Sequence, residues 1–253
     1  MTKKYSVGML AAALIVGIGI GFCGGFLTGS CVGADSDNKS SIESKQETVD
    51  EHLSASEEEP IGSYAVDDEP ALTIDDTVVL LSEINARAYM ARDQYVAAYG
   101  EEPWGTKMDN GMTVGEYAKA TMLDEIERTV ILCNLADDYD VLALTDEEEK
   151  ECASKADDYM AAIGGDIASQ FSVETSAVLT IYEKEALSMK VYNQILDSMS
   201  GTLRQEDDYK DMSDSDFEQV LNDKFEEQYA QWKEGCKVET TEAWDQLVIG
   251  AVG

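Results

Sequence analysis

The chain has 253 residues, 44% of them hydrophobic, and sets 52 Asp and Glu against 18 Lys and Arg, a formal net charge of -34. That length supports one sizeable domain with appendages. The charge argues against a nucleic-acid partner, because phosphate binding needs clustered cations and this field repels polyanions.

Lys3 and Lys4 precede an uncharged run from Val7 to Gly29, and the first acidic residue after it is Asp35. Residues 1–34 therefore read as an export signal or membrane anchor whose basic flank stays in the cytoplasm, so the rest lies on the extracytoplasmic face. Three fates compete: a retained anchor, cleavage after Val32-Gly33-Ala34, with release of the protein, or lipidation of Cys31 at an imperfect lipobox, Leu27-Thr28-Gly29-Ser30-Cys31. Residues 35–70 turn to Ser, Glu, Asp and Lys with few large apolar side chains. Such a stretch buries too little surface to offset its ordering entropy and reads as a disordered acidic tether. His52, the one histidine, falls in it.

Folding is expected over 71–249. Leu72-Thr73-Ile74 and Val78 to Leu81 flank Asp75-Asp76-Thr77, which predicts a strand, a turn and an extended lead into a helix. Ser82 is the expected N-cap of that helix. Ile84, Ala88, Ala91, Tyr95 and Val96 stripe it, and Gly100 ends it. Loop signals at Glu102-Pro103-Trp104-Gly105 and Asp109-Asn110-Gly111 lead to a Thr113/Glu116 capping box. Beyond the box, Val114, Tyr117, Ala118, Thr121, Met122, Ile126, Val130 and Cys133 recur at steps of three and four, an apolar helix face. The break Asp140 to Leu144 is itself apolar, which predicts an elbow pinned to the core. A second capping box, Thr145/Glu148, opens a helix that stops at Gly164-Gly165. The pattern resumes from Ser172 to Gly201 as one long helix whose stripe shifts face partway. A third box, Ser215/Glu218, opens the last long helix, which carries Phe217, Val220, Leu221, Phe225, Tyr229 and Trp232 to Gly235. Cys236 to Thr241 then reads as a strand, with Trp244 and Leu247 beyond it. An isolated strand is unstable in water, so the strands at the two ends are expected to pair.

Leu123-Asp124-Glu125-Ile126-Glu127-Arg128, then Ala136 to Val141, then Leu144-Thr145-Asp146-Glu147-Glu148 resembles the chaperone domain of SurA- and PrsA-type extracytoplasmic prolyl isomerases. Asp140 stands where that family usually has Gly, and Leu144 where Val is commoner. The resemblance implies a mostly α, SurA N-terminal-like fold in which the two ends form a small strand pair. It also implies chaperone-like binding of unfolded or exported polypeptides. In the family a parvulin domain of about one hundred residues follows a helix in this region. Here only the polar link from Gly201 to Asp214 takes its place, so no isomerase catalysis is expected.

Catalytic and metal motifs are lacking: there is no Gly-x-Ser-x-Gly, Walker loop, His-Glu-x-x-His or dinucleotide fingerprint, and Asp214-Ser215-Asp216 does not continue as an EF-hand. No cofactor or metal is expected. Cys133 falls on an apolar stripe and reads as a small buried hydrophobe. The 12 Tyr and 10 Met against 5 Phe suit a surface that accepts varied peptides. Tyr95 and Met122 lie on stripes and read as core, whereas Tyr89, Tyr99, Trp104, Met108 and Met112 are the candidates for an open peptide-binding cleft. The sequence thus favours a non-enzymatic, membrane-held peptide-binding domain. The alternative is an anchored scaffold that binds one fixed partner.

Overall fold

Strand β1 (Pro70–Ile74) buries Ala71, Leu72 and Ile74, turns at Asp75-Asp76 and returns antiparallel as β2 (Thr77–Leu80). The computed structural model describes residues 69–249; the apolar run with Cys31 and the tether through residue 68, with His52, lie outside the described residues. The lead into the first helix is thus a full hairpin strand. Asp75 takes a left-handed φ of 50°, which Asp tolerates better than most residues. Helix α1 (Leu81–Tyr99) follows β2 without a gap. Its cap position is Leu80 rather than the expected Ser82, because the Leu81 N–H is already satisfied by the Glu69 carbonyl at 2.8 Å.

Both Thr-Glu boxes form as read. Thr113 caps α2 (Val114–Asn134) and Thr145 caps α3 (Asp146–Ile163), each with reciprocal side-chain and backbone hydrogen bonds. Between them a single 3-10 turn (Asp137–Tyr139) ends at Asp140, whose φ is 54°. The elbow is pinned only in part. Tyr139 meets Trp232 edge-on at 6.3 Å and Val141 packs beside it, but Leu142 is 84% exposed. The polypeptide reverses there through the left-handed residue, which turns Leu142 outward.

After Gly164 comes a short helix that periodicity did not predict, α4 (Gly165–Gln170), and then α5 (Thr175–Leu203), about 44 Å long. Gly201 does not end α5. A glycine costs about 1 kcal/mol inside a helix, and the contacts of Arg204 outweigh that. Its guanidinium lies 3.7 Å over the Phe217 ring and donates to the Met212 carbonyl at 3.0 Å and to Asp214 at 2.8 Å. Helix α6 (Asp214–Gly235) begins two residues before the expected box: Ser213, not Ser215, accepts from the Asp216 N–H. The earlier start keeps Phe217 buried and puts Asp214 and Asp216 in the first turn, where the helix dipole favours them.

Strand β3 (Val238–Thr240) then pairs antiparallel with β1, giving a three-stranded sheet ordered β2-β1-β3, and α7 (Glu242–Gln246) follows. The fold is mostly helical with a small sheet in which the two ends of the domain pair, as expected. Three apolar clusters fill it. One lies under the sheet around Leu72, Ile74, Val79, Ile126 and Trp244. A second joins α1, α3 and the first half of α5 through Ala86, Ala156, Val178 and Ile181. The third joins α2, α6 and the second half of α5 through Ile131, Val191, Ile195 and Phe225. The stripe of α5 shifts face because each half serves a different cluster. Among the described residues, no helix is long and apolar enough to cross a membrane.

The returning end is held by more than strand pairing. Asp75 accepts from the Lys237 N–H at 2.9 Å and donates its own N–H to the Lys237 carbonyl at 2.8 Å. On the other side of β3, the Lys119 ammonium donates to the carbonyls of Trp244 and Leu247 and lies 5.1 Å over the Trp244 ring. Trp244 is 5% exposed. In urea denaturation, Trp244→Ala is expected to cost about 3–5 kcal/mol. Lys119→Met, which strands the same carbonyls, is expected to cost about 1.5–3 kcal/mol. Removing residues 236–253 is expected to abolish the cooperative transition; an unchanged midpoint and slope would reduce this end to a tail.

Candidate binding groove and the charged core beside it

One face of α1 presents Asn85, Ala88, Tyr89 and Arg92 at helical spacing to a groove of about 130 Å³. Its other walls are Glu101, Glu102 and Trp104 from the loop after α1, Phe171 after α4, and Leu247 to Ile249 at the end of the described chain. An apolar cavity of about 150 Å³ takes up a benzene-sized group, so the space suits one large side chain.

Local chemistry explains why these segments meet. Gly100 ends α1 at φ 99°, and Pro103 is buried beneath the loop. The N–H of Gly115, in the first turn of α2, donates to the Trp104 carbonyl at 2.9 Å. A Cβ on Gly115 would stand 3.1 Å from the Ile249 carbonyl and 3.3 Å from that of Trp104, so glycine lets both groove walls close on α2. Trp104 tilts against Tyr95 at 5.8 Å, and Tyr89 against Phe171 at 4.8 Å. At the rim Val248 is 67% exposed.

Of the five candidate residues, Tyr89 and Trp104 line the groove. Tyr99 and Met108 pack on the cluster under the sheet instead. Met112 is half-buried, and its carbonyl accepts from the Met108 N–H at 2.8 Å, which folds the Lys107–Thr113 loop on itself. Sequence reasoning missed Phe171 and Val248. Neither lies in a periodic segment shared with α1, and only tertiary folding brings them to it.

Helix α1 also carries, through Glu83 and Arg87, a charged cluster. Glu83, 4% exposed, accepts from Arg87 Nε at 3.1 Å and from Lys184 Nζ at 2.6 Å, and Arg87 also reaches Glu185 at 3.5 Å. Glu125 completes a set of three carboxylates, Glu83, Glu125 and Glu185, around two cations. Burial raises the Glu125 pKa from its ordinary 4.5 to about 7; Arg87 opposes the rise, while Glu185 and Asp124 add to it. Burial likewise raises Glu185. A carboxyl that titrates near 7 has acid-base capacity, but Glu125 is not among the residues that line the groove. Among the described residues no group of three or more His, Cys, Asp and Glu could hold a metal ion.

Cys133, Cys152 and Cys236 are free thiols. Burial pushes Cys133 up to about 11, and its thiol donates to the Lys184 carbonyl at 3.3 Å. Burial and the neighbouring Asp75 push Cys236 to about 11 as well. Low reactivity follows from both shifts.

No family model, curated protein or solved structure matches the chain.

The raised Glu125 value sets the sign of a pH effect. The folded state holds this proton more tightly than the unfolded chain does, so the group's contribution is full below about pH 4.5 and is lost as pH rises to about 7. Glu125→Gln is expected to stabilise the protein above pH 7 by on the order of 1–2 kcal/mol, a value discounted for the partial solvent access of Glu125. It should also flatten the stability profile between those limits. Melting curves across pH 4–8 check this; a variant less stable than the parent at pH 8 would contradict the assignment.

Proposed function

We propose that residues 71–249 form a chaperone-like holding domain of the SurA and PrsA kind, working on the extracytoplasmic face of a membrane and binding exposed segments of unfolded or exported polypeptides. The observation that carries this reading is the groove, in which the half-buried aromatics Tyr89, Trp104 and Phe171 stand beside the exposed Val248. A pocket one side chain deep fixes a single anchor residue. Weak, replaceable apolar contact of that kind suits many clients better than one. Two further features agree with the resemblance. Asp140 adopts the left-handed conformation for which glycine, the residue usual in that family, is best suited. The ten residues between α5 and α6 leave no room for an isomerase domain, so this reading assigns the chain no catalysis.

The negative surface contributes by keeping loaded molecules apart. The purified full chain is expected to suppress aggregation of a reduced, unfolded model protein. Val248→Asp should weaken that capture roughly tenfold without moving the melting midpoint, because Val248 is exposed. Capture of a single stoichiometric partner in crosslinking, with no effect on unfolded proteins, would favour the scaffold alternative and sink the holding role.

The uncharged run after Lys3-Lys4 motivates the location. Protease added to intact cells is expected to digest the folded part. Full protection together with recovery in the soluble cytoplasmic fraction would overturn the location.

A further inference from the structure

Resting on the holding reading, we propose that the groove selects segments in which one large apolar side chain is flanked by Lys or Arg. Its lining is not electrically neutral. Glu101 and Glu102 are both exposed and make no ion pair among the described residues, whereas the one cation of the lining, Arg92, is engaged by Asp93 at 3.6 Å. Counting Asp93, three carboxylates therefore stand against one cation beside a slot that takes one apolar side chain. A cation next to the anchor residue would meet them within a screening length, about 8–10 Å at ordinary salt.

The same electrostatics narrow the source of the occupant. The chain's own stretch before the fold carries Asp35, Asp37, Glu43, Glu47, Asp50, Glu51, Glu57, Glu58, Glu59, Asp67 and Asp68 against Lys39 and Lys45, so its charge opposes entry. A second copy, at net charge -34, brings the same repulsion. What remains complementary is a foreign polypeptide rich in Lys or Arg beside Phe, Leu, Trp or Tyr. For such a segment the whole-molecule field raises the encounter rate and the rim carboxylates add local discrimination.

Three short peptides that share a central Phe, flanked by Lys, by Ser or by Glu, distinguish the possibilities when titrated by fluorescence anisotropy against the full chain in mild detergent. At about 20 mM salt the Lys peptide is expected to bind about tenfold tighter than the Glu peptide, and the gap should close at about 300 mM. A Glu101→Gln, Glu102→Gln double variant should erase most of the gap by weakening the Lys peptide, and Val248→Asp should weaken the Glu and Ser peptides. Equal affinities for all three peptides that still fall with Val248→Asp would refute the charge preference and leave the holding role standing. Binding of the Lys peptide that ignores both variants would mark nonspecific attraction to the acidic surface and refute the groove as its site. If no peptide bound at all, the holding role would fall with it.

Discussion

Strand β1 occupies the centre of the sheet, and a central strand needs hydrogen-bond partners on both edges. The hairpin supplies one edge within ten residues; the other is supplied by residues more than 160 positions later. Everything between must therefore bring the chain back to the same place. Asp75 makes the return specific, since the residue that turns the hairpin also accepts the N–H of Lys237 just ahead of β3. Lys119 repeats the device on the far side by gathering the carbonyls that end α7. The groove depends on this closure, because Leu247 to Ile249 form one of its walls and are positioned by the same lysine and by the bare Cα of Gly115.

A chain with so few cations must place them economically. Arg128 lies 5.2 Å over Phe225 and 4.7 Å over Tyr229 while it grips Glu226 through both guanidinium nitrogens, which ties α2 to α6. Lys233 bridges back to Asp124 at 2.7 Å and Glu127 at 2.9 Å across the same interface. Lys190 reaches Glu148 at 2.8 Å, so the acid of a capping box is also the anchor between α3 and α5, and its pKa falls to about 2. Apart from the buried Glu127, the members of these pairs are partly or largely exposed, and such pairs are individually weak. The Glu83 cluster is different: it is buried, carries excess negative charge, and relieves that charge through a carboxyl that keeps its proton up to near-neutral pH. Removing Glu83, the carboxylate that pairs with both Arg87 and Lys184, would strand two partly buried cations and cost more than the cluster contributes as a whole.

Local rules made much of the fold legible. Thr113 and Thr145 signal their helices because a capping box is written within four residues, and the face shift along α5 appears directly in the spacing of Val178, Ile181, Val191 and Ile195. Misreadings arose where distant contacts overruled local preference. Glu69 replaced Ser82 as the satisfier of the first turn of α1, and Arg204 carried α5 past Gly201. Leu142 looked like core because it is apolar, yet the left-handed Asp140 faces it to solvent. The groove was half legible. Tyr89 and Trp104 belong to one helix and the loop after it, whereas Phe171 and Val248 arrive by tertiary folding, for which periodicity carries no signal.

The connection from α5 to α6 shows the opposite logic to the ends. Arg204 contacts Phe217, Asp214 and the Met212 carbonyl, and Ser213 exchanges hydrogen bonds with Asp216, so the contacts that shape the turn lie within fourteen residues of one another. Neither the sheet nor the groove draws a residue from this stretch. Lengthening a flexible loop costs only about 0.6 kcal/mol per doubling. Additional chain placed here would therefore tax the fold lightly, while an equal insertion between Asp75 and Thr77 or after Cys236 would break the register that closes the domain. The architecture separates a permissive position from two stringent ones, and that separation follows from making the first strand of the described chain the middle of the sheet.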